Sequence, residues 1–207
     1  LQTIRLAPAQ RADILVEMPA GDLRLEEVST GEPVGAAVLQ ANDMAPATAS
    51  QTTGTAWYKR PDLLGARVID IHMQGGAMGN LASAEFKGEA LAVRDLAQEH
   101  SKLWAFNGIV GGYHHQLADL ALGEVTVLRV WNDTRWEHGM HLHGHHFWVD
   151  SKEFGENTRP VLRDTYLMAP GERADLVFVA DNPGMWLFHC HMMEHHAAGM
   201  GAVISIT

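Results

Sequence analysis

The sequence predicts an all-β protein, an antiparallel sandwich or barrel with one short helix. Residues 124–131 (EVTVLRVW) alternate apolar and polar side chains with a period of two, as a half-buried strand does. Several other short apolar runs follow, and Gly, Pro, Asp and Asn residues separate them as turns would. Many short strands with turn residues between them are typical of sandwiches and barrels.

The remaining elements are assigned in order along the chain. Residues 29–63 are rich in Ala, Thr, Gly and Pro with weak periodicity, which indicates a loop-rich connection. Residues 89–100 place Leu91, Ala92 and Leu96 on one side of a helix, and this is the single predicted helix. Strands are expected at 66–72, 124–131, 140–149, 174–180, 185–191 and 201–206.

A short motif occurs twice. Residues 6–13 (LAPAQRAD) and 168–175 (MAPGERAD) are identical at five of eight positions, and each copy runs into an apolar segment. The second copy precedes the final strands of a domain. The first copy therefore predicts that residues 1–28 are the C-terminal strands of a preceding, truncated domain. The expected division is 1–28 for that tail, 29–63 for a linker and 64–207 for a complete domain. A chance similarity between two turns is the alternative.

Composition and charge exclude several function classes. The chain has 15 basic and 25 acidic residues, a formal net charge of −10, and no run of Lys or Arg. Sequence-independent nucleic-acid binding needs clustered positive charge, so no nucleic-acid partner is expected. No apolar run approaches the ~20 residues of a membrane span, and no signal peptide is recognised. The single cysteine excludes an internal disulfide, which leaves Cys190 as a free thiol or a ligand.

Histidine is the anomalous residue type, because nine of the 13 histidines lie within 138–146 and 189–196. In the apolar segment 185–191, three ligand-type side chains follow one another. Successive side chains on a strand point to opposite faces, so His189 and His191 should share one face and Cys190 should occupy the other. One backbone segment would then touch two different metal centres.

The ligand types favour copper. Cys190, His195 and Met200 offer a thiolate, an imidazole and a thioether within 11 residues, and a trigonal N, N, S set with a weak axial Met is the blue-copper arrangement. The cluster His138, His141 and His143 can supply the second imidazole. Zinc uses Cys and His but does not need the thioether, and one structural zinc site would leave several of these groups unused. A thiol–histidine hydrolase would leave Met200 and the His-x-His pair unexplained.

These segments, HGMHLHGHHF (138–147) and HCHMMEHHAAGM (189–200), resemble the signatures of the multicopper oxidases, in particular their bacterial laccase-like and metallo-oxidase branch. The resemblance implies a cupredoxin-like Greek-key fold for the C-terminal domain. It also implies four copper ions in a complete enzyme, held partly by ligands from an N-terminal cupredoxin domain that is absent from this sequence. The implied mononuclear blue-copper ligands are His138, Cys190, His195 and Met200. The implied ligands of a trinuclear half-site are His141, for the normal copper, and His143, His189 and His191, for the binuclear pair. Gly139 departs from the family pattern, which often has Pro there.

The resemblance further implies an oxidoreductase with O2 as acceptor. A small reducing substrate, either a phenol-type organic compound or Fe(II) or Cu(I), would give single electrons to the mononuclear copper. The His189–Cys190–His191 bridge would pass them to the trinuclear cluster, where O2 becomes water. A periplasmic or secreted location is implied, and this fragment alone is expected to be inactive, with self-association through its His-lined face as a further expectation.

Three functions from other classes stay open. A blue-copper electron carrier has no use for the second group of histidines. A copper nitrite reductase places one His beside its Cys, whereas Cys190 has a His on both sides. A copper-storage or assembly protein would never reduce O2.

Other candidate residues lie outside the ligand pattern. His145 and His146 are interpreted as supporting or surface residues, with Asp164 or Glu194 as partners that orient the ligands, and the role of His196 stays open. His72, Met73 and Met78 could bind Cu(I) through soft ligands, but a strand end followed by a loop is the favoured interpretation. His114 and His115 are expected in a solvated loop.

Overall fold

The computed structural model describes residues 3–14, 16, 21–29, 31–40, 58–76, 78–151 and 160–207. The chain forms two compact units. The larger contains Leu1–Arg11 and Ala56–Thr207, and the smaller contains Ala12–Thr55. The strands and helices are, in chain order, β1 (Leu23–Glu27), β2 (Val34–Leu39), β3 (Arg67–Gly75), β4 (Ser83–Phe86), β5 (Glu89–Ala92), α1 (Val93–His100), β6 (Trp104–Phe106), β7 (Gln116–Leu120), β8 (Val125–Asn132), β9 (His138–Leu142), β10 (Phe147–Ser151), β11 (Val161–Arg163), β12 (Thr165–Met168), β13 (Arg173–Val179), β14 (Gly184–Cys190), α2 (Met193–Ala197) and β15 (Gly201–Ile206).

The larger unit is built on two sheets. One has the strand order β11-β10-β13-β8-β3-β6 and the other β12-β9-β14-β15-β7, with β4 and β5 as a separate hairpin. Side chains from both sheets form one buried core, which includes Leu128 and Phe178 from the first sheet and Phe188 and Ile204 from the second. The predicted all-β sandwich is therefore confirmed. The sandwich is not purely antiparallel, because β3 pairs with β8 and β15 with β7 in parallel.

The smaller unit contains the antiparallel hairpin β1–β2, whose strands lie on either side of position 28 and are largely exposed. Ile14 and Val16 follow the first copy of the motif, are exposed, and lie in no strand, unlike the expected apolar strand there. Leu15 lies outside the described residues, as do residues 30 and 41–57 of the predicted connection 29–63.

Several elements differ from their sequence-based predictions. Strand β2 (Val34–Leu39) lies within the predicted loop-rich connection, because it pairs with β1. The predicted helix 89–100 begins only at Val93, because residues 89–92 pair with β4. A second, five-residue helix, α2, follows β14. The predicted strand 140–149 is two strands, β9 and β10, joined by a turn at Gly144. That residue has a φ of 71°, and a Cβ there would lie 2.5 Å from the Trp186 ring.

The two copies of the motif fold into the same turn. In the first, the N–H of Gln10 donates to the carbonyl of Ala7, and the N–H of Ala7 donates to Oε1 of Gln10 at 2.9 Å. In the second, Glu172 and Ala169 repeat both hydrogen bonds, the side-chain one at 2.7 Å. Proline at the second position and a positive φ at the third, 64° and 79°, are the features of a type II turn.

Candidate metal centres

Strand β14 carries ligand-type side chains on both of its faces. It pairs antiparallel with β9 so that His189 lies opposite His141 and Cys190 lies opposite Met140. Cys190 is fully buried in the core between the two sheets together with Met140. Because side chains alternate along a strand, His189 and His141 lie together on the other face of this sheet. Two groups of ligand atoms therefore form on opposite sides of one pair of strands.

The first group, called the Cys190 cluster, consists of His138, Cys190 and His195. Their ligand atoms all lie within 4.8 Å of one another. Sγ of Cys190 is 3.7 Å from Nδ1 of both imidazoles, and the two Nδ1 atoms are 3.1 Å apart. Helix α2 brings His195 back towards Cys190 within five residues, since the chain turns immediately after β14. The three atoms can therefore bind one metal ion.

Met200 adjoins the Cys190 cluster through its backbone. Its N–H donates to the carbonyl of His195 at 3.0 Å, and its own carbonyl accepts from the N–H of Cys190 at 3.1 Å. The Met200 residue is fully buried in the same core as Cys190. The sequence-predicted axial residue is thus joined through its backbone to two members of the Cys190 cluster.

Supporting contacts hold the imidazole of His138. Its Nε2 is 2.8 Å from the hydroxyl oxygen of Thr134. The Trp104 ring packs against His138 and His195, with centroid distances of 4.9 and 4.7 Å. Sequence reasoning did not find Thr134 or Trp104. The one available signal was the polar triplet Asn132-Asp133-Thr134, which ends four residues before His138.

Burial controls the protonation of the Cys190 cluster. Burial, with a smaller contribution from the neighbouring His195, lowers the pKa of His138 to about 3. It raises the pKa of the Cys190 thiol to about 11, opposed by backbone hydrogen bonds with Met192 and Gly139. The imidazoles are therefore neutral at pH 7, which a metal ligand requires, and a bound cation must displace the thiol proton.

The second group, called the His141 cluster, consists of His141, His143 and His189, whose ligand atoms also lie within 4.8 Å of one another. The Nε2 atoms of His143 and His189 are 3.0 Å apart. The His191 ring centroid is 5.5 Å from those of His141 and His189, and its buried Nδ1 has no hydrogen-bond partner among the described residues. This cluster is more open, since the His143 residue is exposed.

Backbone carbonyls orient two imidazoles of the His141 cluster. Nδ1 of His141 is 2.7 Å from the carbonyl oxygen of Asp164, and Nδ1 of His189 is 2.8 Å from that of Cys190. Each Nδ1 must donate to its carbonyl, which leaves both Nε2 lone pairs for a cation. Burial lowers the pKa of His141 and His143, and lowers that of His189 to about 4.

Asp164 was named from the sequence as an orienting residue, and it acts on His141 through its carbonyl. Its carboxylate binds Arg11 at 2.6 Å. Burial raises the pKa of this carboxyl, but Arg11, Thr165 and His141 together lower it by more, so the net direction is down. Glu194, the other candidate, is an exposed residue of α2.

The structure keeps other candidates apart from both clusters. His72 pairs with Asp133 at 2.9 Å and stacks on a tryptophan, Met73 is buried in the core, and Met78 is 78% exposed, so the three do not form a common site. The expectation for His115 was wrong: it is buried because its loop packs on the backbone of β15, with the Val203 N–H donating to its carbonyl.

His145 and His196 each adjoin the His141 cluster. His145 is buried, and its Nδ1 is 3.2 Å from the carbonyl oxygen of His143, which gives it a supporting contact. The ring of His196 packs 4.7 Å from that of His189.

A family model described as multicopper oxidase matches residues 84–207. The chain belongs to the multicopper oxidases. The multicopper oxidase MmcO of Mycobacterium tuberculosis is 29% identical over 97% of this chain and 38% of its own length. An L-ascorbate oxidase of Cucurbita pepo var. melopepo is 44% identical over 33% of this chain and 14% of its own length.

Solved structures agree with this family. A multi-copper oxidase from Pseudomonas thermotolerans is 26% identical with a TM-score of 0.58, over 82% of this chain and 37% of that one. Lac15 from a marine microbial metagenome, 24% identical with a TM-score of 0.57 over 91% of this chain and 39% of that one, shares the fold. The predicted cupredoxin-like fold and multicopper oxidase family are therefore confirmed. This multicopper oxidase chain spans less than two fifths of the length of MmcO.

Copper is the metal of this family, and the donor sets of the multicopper oxidase chain fit it. The Cys190 cluster offers two imidazole nitrogens and a sulfur aimed at one point, the set that copper prefers. Among the described residues, no helix has the length and apolar character needed to cross a membrane.

Proposed function

We propose that this chain is the copper-binding C-terminal part of a multicopper oxidase that takes single electrons from a small reducing substrate and uses O2 as acceptor. One observation carries the proposal. His189 and Cys190 are consecutive residues, yet they belong to two different groups of ligand atoms. The His189–Cys190–His191 segment therefore forms a short covalent bridge between two candidate metal centres.

The proposed ligands follow the two clusters. His138, Cys190, His195 and Met200 would hold a mononuclear blue copper. The remaining proposed ligands, half of a trinuclear cluster, are His141, His143, His189 and His191. Bound copper would supply one-electron chemistry, oxidising a phenol-type compound, Fe(II) or Cu(I) and reducing O2 to water.

The chain's own residues prepare both sites for that metal. The Cys190 side chain would give its proton to solvent and its thiolate to the metal. The carbonyl of Cys190 accepts from Nδ1 of His189 at 2.8 Å, which adds a hydrogen-bonded contact to the covalent bridge. The buried wall around His138 and Cys190 excludes water, and this keeps the imidazole neutral and available.

The domain division stays part of the proposal. Residues 1–28 would end a middle cupredoxin domain, 29–63 would link it, and 64–207 would form the C-terminal domain. The shared type II turn at 6–13 and 168–175 supports two domains of one kind. The ligands that complete the trinuclear cluster would come from an N-terminal domain, and a periplasmic or secreted location fits this family.

The Cys190→Ser substitution tests the mononuclear site. The copper-loaded chain should show an intense thiolate-to-copper charge-transfer band, and the variant should lose it while its circular dichroism stays that of a β protein. His141→Ala is the matched control, because it removes an imidazole from the other cluster and should leave the band unchanged. A band that survives in Cys190→Ser would overturn the ligand assignment.

The count of copper ions separates the proposal from its nearest alternative. An electron carrier with one blue copper would not need the His141 cluster, whose three ligand atoms lie within 4.8 Å of one another. When the missing ligands are supplied by the full-length protein, four copper ions and O2 uptake are expected. One copper and no O2 uptake in that protein would instead identify an electron carrier.

A further inference from the structure

The His138 imidazole can serve a metal in the Cys190 cluster only through Nδ1. That atom lies 3.1 Å from Nδ1 of His195 and 3.7 Å from Sγ of Cys190, whereas Nε2 faces away towards Thr134. A neutral imidazole carries one hydrogen, on either nitrogen. If the hydrogen sat on Nδ1, the lone pair would face the wrong way. The site therefore needs the tautomer with hydrogen on Nε2.

The amide of Asn132 has one permitted orientation. Its Nδ2 is 2.8 Å from the carbonyl oxygens of both Trp136 and Ala169. Carbonyls only accept, so the NH2 group must face them and Oδ1 must face Thr134. Oδ1 is 2.7 Å from the Thr134 hydroxyl oxygen and also accepts from the Thr134 N–H at 3.2 Å. Every hydrogen-bonding atom of this buried side chain thus has a determined role.

The orientation of Asn132 fixes the direction of the hydrogen bond between Thr134 and His138. The single hydrogen of the Thr134 hydroxyl goes to Oδ1 of Asn132 at 2.7 Å rather than to the Trp136 carbonyl oxygen at 3.2 Å, and neither oxygen has a hydrogen to give. The hydroxyl oxygen can then only accept from Nε2 of His138 at 2.8 Å. The donor sequence runs from His138 to Thr134 to Asn132 to two carbonyls, and it leaves the Nδ1 lone pair free.

The second copy of the duplicated turn holds Asn132, the last residue in this series of hydrogen bonds. The N–H of Asn132 donates to the carbonyl of Glu172 at 2.9 Å, its carbonyl accepts from the N–H of Gly171 at 2.8 Å, and its side chain donates to Ala169. The Glu172 carboxylate in turn is buried and accepts from Ser151 and Tyr166. This turn is thereby tied to a candidate copper ligand through hydrogen bonds that the sequence pattern could not show.

We propose that Thr134 and Asn132 are positioning residues, held by the turn at 169–172, that fix His138 as the Nε2–H tautomer and aim Nδ1 at the metal. The inference rests on the proposed function, because it assigns a role towards the proposed copper. Neither residue belongs to the ligand atoms of the Cys190 cluster. Loss of a hydrogen-bond partner that orients a metal-bound imidazole costs about 10- to 100-fold in metal affinity.

The test compares Thr134→Val, which has the same shape without the hydroxyl, with Thr134→Ser, which keeps it. A matched control is Thr126→Val, because Thr126 is fully buried and its hydroxyl has no partner among the described residues. Nitrogen-15 NMR of the metal-free chain reads the His138 tautomer directly. Copper titration with detection of the thiolate band gives the affinity.

The wild-type chain should show hydrogen on Nε2 of His138. Thr134→Val should lose that preference and bind copper about 10- to 100-fold more weakly. Thr134→Ser and Thr126→Val should stay near wild type in both measurements. Hydrogen on Nδ1 in the wild type, or unchanged copper affinity in Thr134→Val, would overturn the inference.

Two arrangements keep the test decisive. The tautomer of the wild-type chain needs no variant, so it decides even if Thr134→Val does not fold. Absence of the thiolate–copper band in the wild type would refute the proposed function, whereas a normal band with a normal affinity in Thr134→Val would refute only this inference.

Discussion

The Cys190 cluster and the His141 cluster use opposite sides of the same strand pair and differ in enclosure. His138 and Cys190 are fully buried, whereas His143 is exposed and His141 only half-buried. In the first cluster, Thr134 and Trp104 support the ligands from within the chain. The difference teaches that this chain encloses one site in its own core, whereas the other forms at a surface and remains open to further ligands.

The largest effect expected from this difference concerns metal content. The purified 207-residue chain should bind close to one copper per chain and show negligible O2 uptake. The Cys190 cluster, together with Met200, has its full proposed ligand set. The His141 cluster, together with His191, has only four imidazoles for three copper ions. A site needs a defined number of ligands to bind a metal tightly. Metal analysis and an oxygen electrode provide the measurement. Four copper ions with sustained O2 uptake, and no co-purified second chain, would show that the His141 cluster is as complete as the Cys190 cluster.

A second prediction concerns stability and pH in the metal-free chain. Burial lowers the pKa of His138 to about 3 and that of His189 to about 4, below the 6.5 of an exposed imidazole. The unfolded chain therefore binds more protons below pH 6.5, and stability falls as pH decreases. At pH 5, His138 alone should cost about 2 kcal/mol relative to pH 7.

Urea unfolding at several pH values measures this loss. The contribution of His138 should continue down to about pH 3 and that of His189 should stop near pH 4, so His138 is the more acid-sensitive of these two residues. His138→Gln should remove about 2 kcal/mol of the difference between pH 7 and pH 5. An equal pH dependence in wild type and variant would show that His138 is not buried in the neutral form.

The smallest expected effect tests whether Met200 is the fourth ligand at the Cys190 cluster. Met200→Leu should keep the blue colour and raise the reduction potential, because loss of a weak axial thioether favours Cu(I). Met and Leu are close in volume, so the substitution should cost less than about 1.5 kcal/mol. Met73→Leu is the matched control, since Met73 is equally buried in the same core but lies on β3. A redox titration with equal shifts in both variants would exclude Met200 as the axial ligand.

The sequence by itself determined the features that depend on local periodicity. Alternation along residues 185–191 separated His189 from Cys190, because the side-chain period of a strand is two wherever the strand lies. The clustering of nine histidines near one cysteine predicted copper and the family, because the type and spacing of ligands are properties of the sequence itself.

The tertiary structure decided whatever depends on partners distant in sequence. Residues 89–92 carry an apolar pattern that fits a helix, yet they form a strand because β4 is available for pairing. The register of β9 on β14 sets His141 beside His189, 48 positions away, which no local pattern encodes. The support of His138 likewise rests on Asn132 and Ala169, which are 37 positions apart and meet only after the core has packed. Hydrogen bonds of this kind are fixed by burial, since an unpaired polar atom in a core is costly and the folded packing alone determines which partner it finds.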